Sequence, residues 1–324
     1  MKAIRISEYG DANVLQLQDI PKPTPAADEV LVSLKAAGLN FIDIYLRRGD
    51  YRSPNSLPFT PGREGAGVVE AIGENVKEVS VGDRVAYTGG MGSYAEYAIV
   101  KAAQLIPLPN DISFEQGAAF PLQGMTAHYL LHEFYQIKKG DYVLVHAAAG
   151  GMGLLLVQWI KHLGGIVIGT VSTKEKADIA RKAGADHIIL YTNEDFVAET
   201  HKITKNVGAD YIIDGVGKTT FTKNLDAARK RGSICIYGSA SGPADPIAPN
   251  GLQMKSLKIW GGSLFNYMDT REEILMRANA VLKGIKEGWL NLREEHVFPL
   301  EKAADAQRLL EGRQSMGKVI LKIG

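Results

Sequence analysis

The chain has 324 residues, 45% of them hydrophobic and 23% charged, with 37 Lys+Arg against 36 Asp+Glu. That length sets an expectation of two domains of roughly 150 residues each, and the composition excludes disordered and collagen-like chains. A formal charge of +1 argues against a broad nucleic-acid footprint, and the single cysteine, Cys235, cannot close an internal disulfide, which favours a cytoplasmic protein.

Residues 1–8 alternate apolar with polar and lack the apolar block of a secretory signal. The first 120 residues read as β-rich, with short apolar runs at 15–17, 29–36, 67–73, 84–87 and 94–100. Turn signals at Pro21, Pro23, Pro25 and Gly82-Asp83 separate them, and the spacing suits a partly open barrel. The clearest helix signal here covers 40–48. Around residue 112 the pattern changes. Ser113, with Glu115 and Gln116 close behind, marks a helix start, and 126–134 reads as helical. From Asp141 strand and helix alternate, with strand-like runs at 142–146, 166–171, 187–190, 211–214, 233–237 and 257–260. Helical segments fall at 152–163, 174–183, 195–206 and 219–230. Six strands separated by helices predict an α/β fold with a doubly wound parallel sheet. Helices at 270–287 and 300–311 follow, then a closing strand at 318–323 that returns to the first domain. The expected division is therefore 1–122 with 266–324 for the β-rich substrate domain and 123–265 for the sheet domain. Residues 143–160 carry no Asp, Glu, Lys or Arg, but Gly150, Gly151 and Gly153 cut them into a buried strand and a helix. No membrane span is expected.

The run from Val143 to Gly153 ends Ala147-Ala148-Ala149-Gly150-Gly151-Met152-Gly153, a G-x-G-x-x-G pattern with Ala148 in the first position. A pyrophosphate must approach the backbone at Gly150, and Gly153 lets the helix pack close to its strand. The N–H groups and dipole at the helix start then face the phosphates. A strand before the pattern and an amphipathic helix after it supply the context a lone glycine motif lacks. An acid about twenty residues on would bind the ribose hydroxyls of NAD, yet the second strand ends Ser172-Thr173-Lys174-Glu175-Lys176. Ser172, Thr173 and Lys176 can donate to a 2′-phosphate, while Glu175 reads as a helix-start carboxylate. Two charge-assisted hydrogen bonds of about 1.5–3 kcal/mol each give roughly a hundredfold preference or more, so NADPH is the expected cofactor.

Position by position, Gly140-Asp141, Leu144, Ala148-Ala149-Gly150-Gly151, Gly153, Gln158 and Lys161 resemble the signature of the quinone oxidoreductase and zeta-crystallin family. That family belongs to the zinc-free medium-chain dehydrogenases/reductases. The likeness extends through Gly38-Leu39-Asn40-Phe41-Ile42-Asp43, Pro61-Gly62-Arg63-Glu64-Gly65-Ala66-Gly67, Gly92-Ser93-Tyr94-Ala95-Glu96-Tyr97 and Met316-Gly317-Lys318. It implies a Rossmann sheet beside a discontinuous GroES-like domain, with the site in the cleft between them. It also implies NADPH:quinone oxidoreductase activity. The alternatives are an NADPH-dependent alkenal or enone reductase or, outside enzymes, a zeta-crystallin-like structural or RNA-binding role. Near-neutral charge weighs against RNA, and the glycine turn against a purely structural role.

Zinc-dependent relatives hold a catalytic zinc and often a four-cysteine structural zinc. One cysteine excludes the second site. The family's histidine ligand would fall at Arg63, and the place of the cysteine ligand, near Asn40, holds no cysteine. No catalytic zinc is expected. Oxidising an unactivated alcohol calls for a Lewis acid, whereas a quinone or enone is already electrophilic and spreads the charge it gains. Alignment of the partners and exclusion of water are then the main tasks.

The resemblance places Asn40, Tyr45 and Tyr51 along the nicotinamide and acceptor positions and Thr126 near the nicotinamide ribose. Asn40 orients by hydrogen bonding; the tyrosines can stack on a flat ring and donate to the acceptor oxygen. Further cofactor contacts are expected from Tyr191, Tyr237-Gly238-Ser239 and Leu264-Phe265, at or beyond strand C-termini. Lys318 is either a cofactor contact or a surface lysine. His128 and His132 lie four apart, which puts both imidazoles on one helix face with Glu133 beside them, but the pattern fits no zinc-enzyme order. Arg229-Lys230-Arg231 reads as a helix-end charge complement. The sixth strand leaves a sheet edge that a second copy of the chain would cover, so a homodimer is expected, with no membrane and no nucleic-acid partner.

Overall fold

The computed structural model describes residues 1–51 and 56–324. It divides into two compact units, one comprising Met1–Gln123, Met268–Asn279 and Leu292–Gly324, the other Gly124–Tyr267 and Ala280–Asn291.

In the first unit a sheet runs in the order His296–Pro299, Val319–Lys322, Glu29–Gly38, Glu64–Ile72, Arg84–Thr88, Ile106–Pro107, and Tyr97–Lys101 also pairs with Glu29–Gly38. The last strand of the chain lies antiparallel to Glu29–Gly38, with Ile320 opposite Gly38. Val30, Val32, Leu34, Val69, Val85, Val100 and Leu321 turn into one buried core. The helix Phe41–Arg48 starts at Asn40, whose backbone N–H donates to Asp43 Oδ2 at 2.9 Å, and stops at Gly49, where φ is 79°. That left-handed turn suits glycine. Arg47 is fully buried and spends its donors on Gly10 O, Gln307 Oε1 and Glu311 Oε2.

The second unit holds a six-stranded parallel sheet in the order His187–Leu190, Ile166–Val171, Tyr142–Val145, Ala209–Asp214, Ala228–Ile236, Lys258–Gly261. Counted along the chain, the order is third, second, first, fourth, fifth, sixth, the doubly wound arrangement with its switch beside the first strand. Leu144, Ile168, Ile189, Ile212 and Ile234 form its core. Ala280–Asn291, which the sequence put with the other domain, packs here: the Asn291 N–H donates to Gln158 Oε1 at 2.8 Å.

Two elements differ from expectation. The helix expected at 219–230 stops at Ala227, because Ala228 pairs with Ala209 and the chain has already entered the fifth strand. Arg229 therefore sits on a strand and pairs with Asp210, while Arg231 turns the chain at φ 60°. The segment 126–134 is the end of a helix that begins at Pro121, followed by a π-helical turn over Leu130–Phe134. Among the described residues no helix is long and apolar enough to cross a membrane.

Candidate functional site

The residues singled out in the sequence fall into two groups, one in each unit. In the second unit the first strand gives way to a turn in which Ala147 is left-handed (φ 53°) and Gly150 caps the helix Gly151–His162. The Leu154 N–H donates to Gly150 O at 2.9 Å, so the N–H groups of Gly151, Met152 and Gly153 open the helix without intrahelical acceptors. A Cβ at 153 would lie 2.2 Å from Ala147 O, which only glycine avoids. At Gly150 a Cβ would meet Ala147 O alone, at 3.3 Å, so the approach to this backbone is open. The Ala148 methyl fills space that Gly169 leaves free: a Cβ at 169 would come within 2.7 Å of it. That exchange accounts for alanine in the first position of the pattern. The turn fits a dinucleotide pyrophosphate.

At the tip of the second strand, Thr173 caps the helix Lys174–Lys182 by accepting the Lys176 N–H at 3.2 Å. Ser172 lies just before it, and Glu175 occupies the first helical turn. The Tyr191 N–H donates to Val171 O at 3.2 Å, which sets this 46%-exposed ring beside the second strand's end. Tyr237 packs its ring over Gly215, followed by Gly238 and Ser239. Leu264 and Phe265 lie in the turn Leu264–Tyr267 after the sixth strand, and Thr126 is buried in the helix Pro121–Tyr129.

Beneath the glycine turn lies a buried network that sequence reasoning missed. Asn224 Nδ2 donates to Asp214 Oδ2 at 2.7 Å, which turns its Oδ1 toward His146 Nε2 at 2.8 Å. Nε2 therefore carries a proton, and a neutral ring accepts the Thr170 hydroxyl at Nδ1, 3.0 Å away. The one signal in the sequence was a polar residue at the end of each of three apolar strands.

In the first unit, Asn40, Glu64 and Lys318 form a buried triangle. Glu64 Oε2 accepts from Asn40 Nδ2 at 2.8 Å and from Lys318 Nζ at 2.5 Å, and Lys318 Nζ also donates to Asn40 Oδ1 at 2.9 Å. Glu64 Oε1 takes the Leu122 N–H at 2.7 Å, and Gln123 Nε2 reaches Asn40 Oδ1 at 3.3 Å. Lys318 is 3% exposed, so the surface alternative is corrected: its ammonium is drawn inside by the Glu64 carboxylate. A Cβ at Gly38 would fall 2.6 Å from Glu64 Oε2 and 2.8 Å from Lys318 Cε. Asp43, one helical turn on, accepts from the Tyr94 hydroxyl at 3.1 Å, and burial pushes its carboxyl up to about 6. Phe41, Tyr45 and Tyr51 make an aromatic row with centroid separations of 6.2 and 5.1 Å. Arg63 donates to Gly89 O at 2.8 Å, and its burial lowers the guanidinium pKa.

Among the described residues no group of three or more His, Cys, Asp or Glu side chains is placed to hold a metal ion. His128 and His132 lie with centroids 4.5 Å apart, each edge-on to Trp159.

Known proteins supply an independent comparison. Residues 26–110 match the model of the alcohol dehydrogenase GroES-like domain, and residues 151–279 that of the zinc-binding dehydrogenase. The chain is 40% identical to the quinone oxidoreductase of Pseudomonas aeruginosa over 322 residues, covering 99% of both. It is also 40% identical to a 2-haloacrylate reductase of Burkholderia sp over 326 residues, covering 98% of this chain and 97% of that one. The crystal structure of Escherichia coli quinone oxidoreductase complexed with NADPH superposes with a TM-score of 0.96 at 38% identity, over 99% of this chain and 100% of that one. With the glycine turn, the two-unit architecture and end-to-end similarity all in agreement, the chain belongs to the quinone oxidoreductase family of the medium-chain dehydrogenases/reductases.

Proposed function

We propose that the protein is a cytoplasmic NADPH:quinone oxidoreductase that works without zinc. The single observation that carries this reading is the glycine turn, open to a pyrophosphate at Gly150 and followed by a second-strand tip that offers Ser172, Thr173 and Lys176. The NADPH named for the Escherichia coli relative supports the same cofactor here. Once bound, NADPH supplies a hydride which, with one proton from solvent, turns a quinone into a hydroquinone and leaves NADP⁺.

This chain's own groups do the rest. The N–H groups of Gly151, Met152 and Gly153 hold the phosphates beside Ala149, and Ser172, Thr173 and Lys176 take the 2′-phosphate. Tyr191 covers the adenine, while Thr126, Tyr237, Gly238, Ser239, Leu264 and Phe265 border the nicotinamide half. Asn40 orients the reacting rings and Tyr45 and Tyr51 stack on the acceptor. Steady-state rates with NADPH and NADH across a panel of 1,4-quinones test the reading. A preference for NADPH of about a hundredfold or more is expected; equal use of both nucleotides, or no quinone turnover, overturns it.

A second reading, reduction of enones, draws support from the 2-haloacrylate reductase, whose named acceptor is a conjugated acid. A hundredfold preference for enones over quinones in the same assay would establish it. The homodimer belongs to the proposal as well. The strand Lys258–Gly261 is the last of its sheet, with one partner strand among the described residues, and a second copy closes that edge. Light scattering should give twice the mass of the chain; a monomer at micromolar concentration refutes the pairing.

A further inference from the structure

Glu64 has no part in the roles assigned above, yet it is the hub of a buried charged cluster in the first unit, fully enclosed with both carboxylate oxygens engaged. Its partners remove any ambiguity in the amide of Asn40. An ammonium can only donate, so Lys318 Nζ must face Asn40 Oδ1; an ionised carboxylate can only accept, so Glu64 must face Asn40 Nδ2. Lys318 Nζ has three N–H groups and spends two, on Asn40 and Glu64. Asn40 Nδ2 has two and spends one. One N–H of each is left without an acceptor among the described residues. Gly38 supports the arrangement by carrying no Cβ where Glu64 and Lys318 pass. Asn40 is also the residue from which the helix bearing Phe41 and Tyr45 starts, so its amide adjoins the element of the aromatic row, and Lys318 Nζ meets that amide at 2.9 Å.

We propose that Glu64 is a positioning residue that holds the Asn40 amide and the Lys318 ammonium so that their remaining N–H groups take the acceptor oxygen as negative charge develops on it. The proposal rests on the reading of the protein as an NADPH-dependent reductase and adds the groups that stabilise the oxyanion. As hydride arrives, the acceptor's π electrons shift onto that oxygen, giving a hydroquinone monoanion or an enolate, and a solvent proton completes the product. An amide N–H and an ammonium N–H fixed in advance in a dry site favour that anion over the neutral ground state. The phosphates of the nucleotide have their own donors at the glycine turn. Loss of this pair should therefore slow turnover and leave nucleotide affinity nearly untouched.

The test compares the full-length parent with Glu64→Gln and with the double variant Glu64→Gln/Lys318→Met. The kcat and KM for 1,4-benzoquinone are measured, along with NADPH affinity by fluorescence titration and Tm. Glu64→Gln is expected to lower kcat at least tenfold, with KM for the quinone and Kd for NADPH each within threefold of the parent. Because Glu64→Gln leaves a buried ammonium without its counter-charge and can fail to fold, the double variant is the safeguard: it removes both charges together. It should keep a Tm near that of the parent and lose kcat about a hundredfold, the size of an oxyanion-donor deletion. Parental kcat in a folded double variant overturns the proposal. So does a tenfold weaker NADPH Kd with kcat unchanged, which would give these donors to the nucleotide. A parent that oxidises NADPH with neither quinones nor enones instead brings down the functional reading itself.

Discussion

At Gly153 an added Cβ would sit 2.2 Å from the Ala147 carbonyl oxygen and 2.7 Å from Ala148 Cα, so a side chain there must push the turn off the start of its helix. Gly153→Ala should weaken NADPH binding at least tenfold in a fluorescence titration; an unchanged Kd would mean that the phosphates bind elsewhere. Asp43 makes a different prediction. Its folded-state pKa of about 6 lies above the usual 3.8, so the native protein binds the proton more tightly than the unfolded chain. Its contribution to stability is therefore fully present below pH 3.8 and is lost as pH rises through 6. The full span amounts to about 3 kcal/mol. Asp43→Asn removes this dependence, so its stability relative to the parent, from urea unfolding, should rise between pH 5 and pH 7. A constant difference would show that Asp43 does not titrate there. Not every site residue was equally legible. Gly153 belongs to a local backbone pattern and could be read from the chain directly. Glu64 and Lys318 stand 254 positions apart, and nothing near either one announces the other.

Elements were legible where their ends carry their own chemistry. Ser113 accepts the Gln116 N–H at 3.0 Å while Gln116 Oε1 accepts the Ser113 N–H at 3.1 Å, so the helix start expected at Ser113 is closed on both sides. Ser113→Ala should cost about 1 kcal/mol in urea unfolding, and no loss would mean that packing alone holds this turn. The strand runs of the sheet unit were equally clear, because β-branched blocks between turn residues leave few alternatives. The end of the helix at Ala227 was not. Residues 228–230 carry no breaker, and their conversion to strand depends on pairing with Ala209 and Asp210, a tertiary choice that local propensity does not record. The network around His146 was hidden for the same reason: each of its members, Asn224 on a helix and the others at strand ends, looks ordinary on its own element.

At the scale of the whole molecule, bound nucleotide should protect the fold. NADPH at a hundred times its Kd adds about 2.7 kcal/mol, read as a rise in Tm that NADH at equal concentration does not match. Equal protection by the two nucleotides would count against selection by the 2′-phosphate. The order in which the chain closes its first sheet sets a further condition. Val319–Lys322 inserts between His296–Pro299 and Glu29–Gly38, and the residue just before it is Lys318. During synthesis Lys318 follows Glu64 by 254 positions, so Glu64 and Asn40 emerge long before their cation. A nascent chain that has not yet reached Lys318 carries a complete glycine turn while the Glu64 carboxylate still lacks its counter-charge. A chain cut just before Lys318 would thus keep the backbone turn at Gly150 and leave the Glu64 carboxylate without its cation.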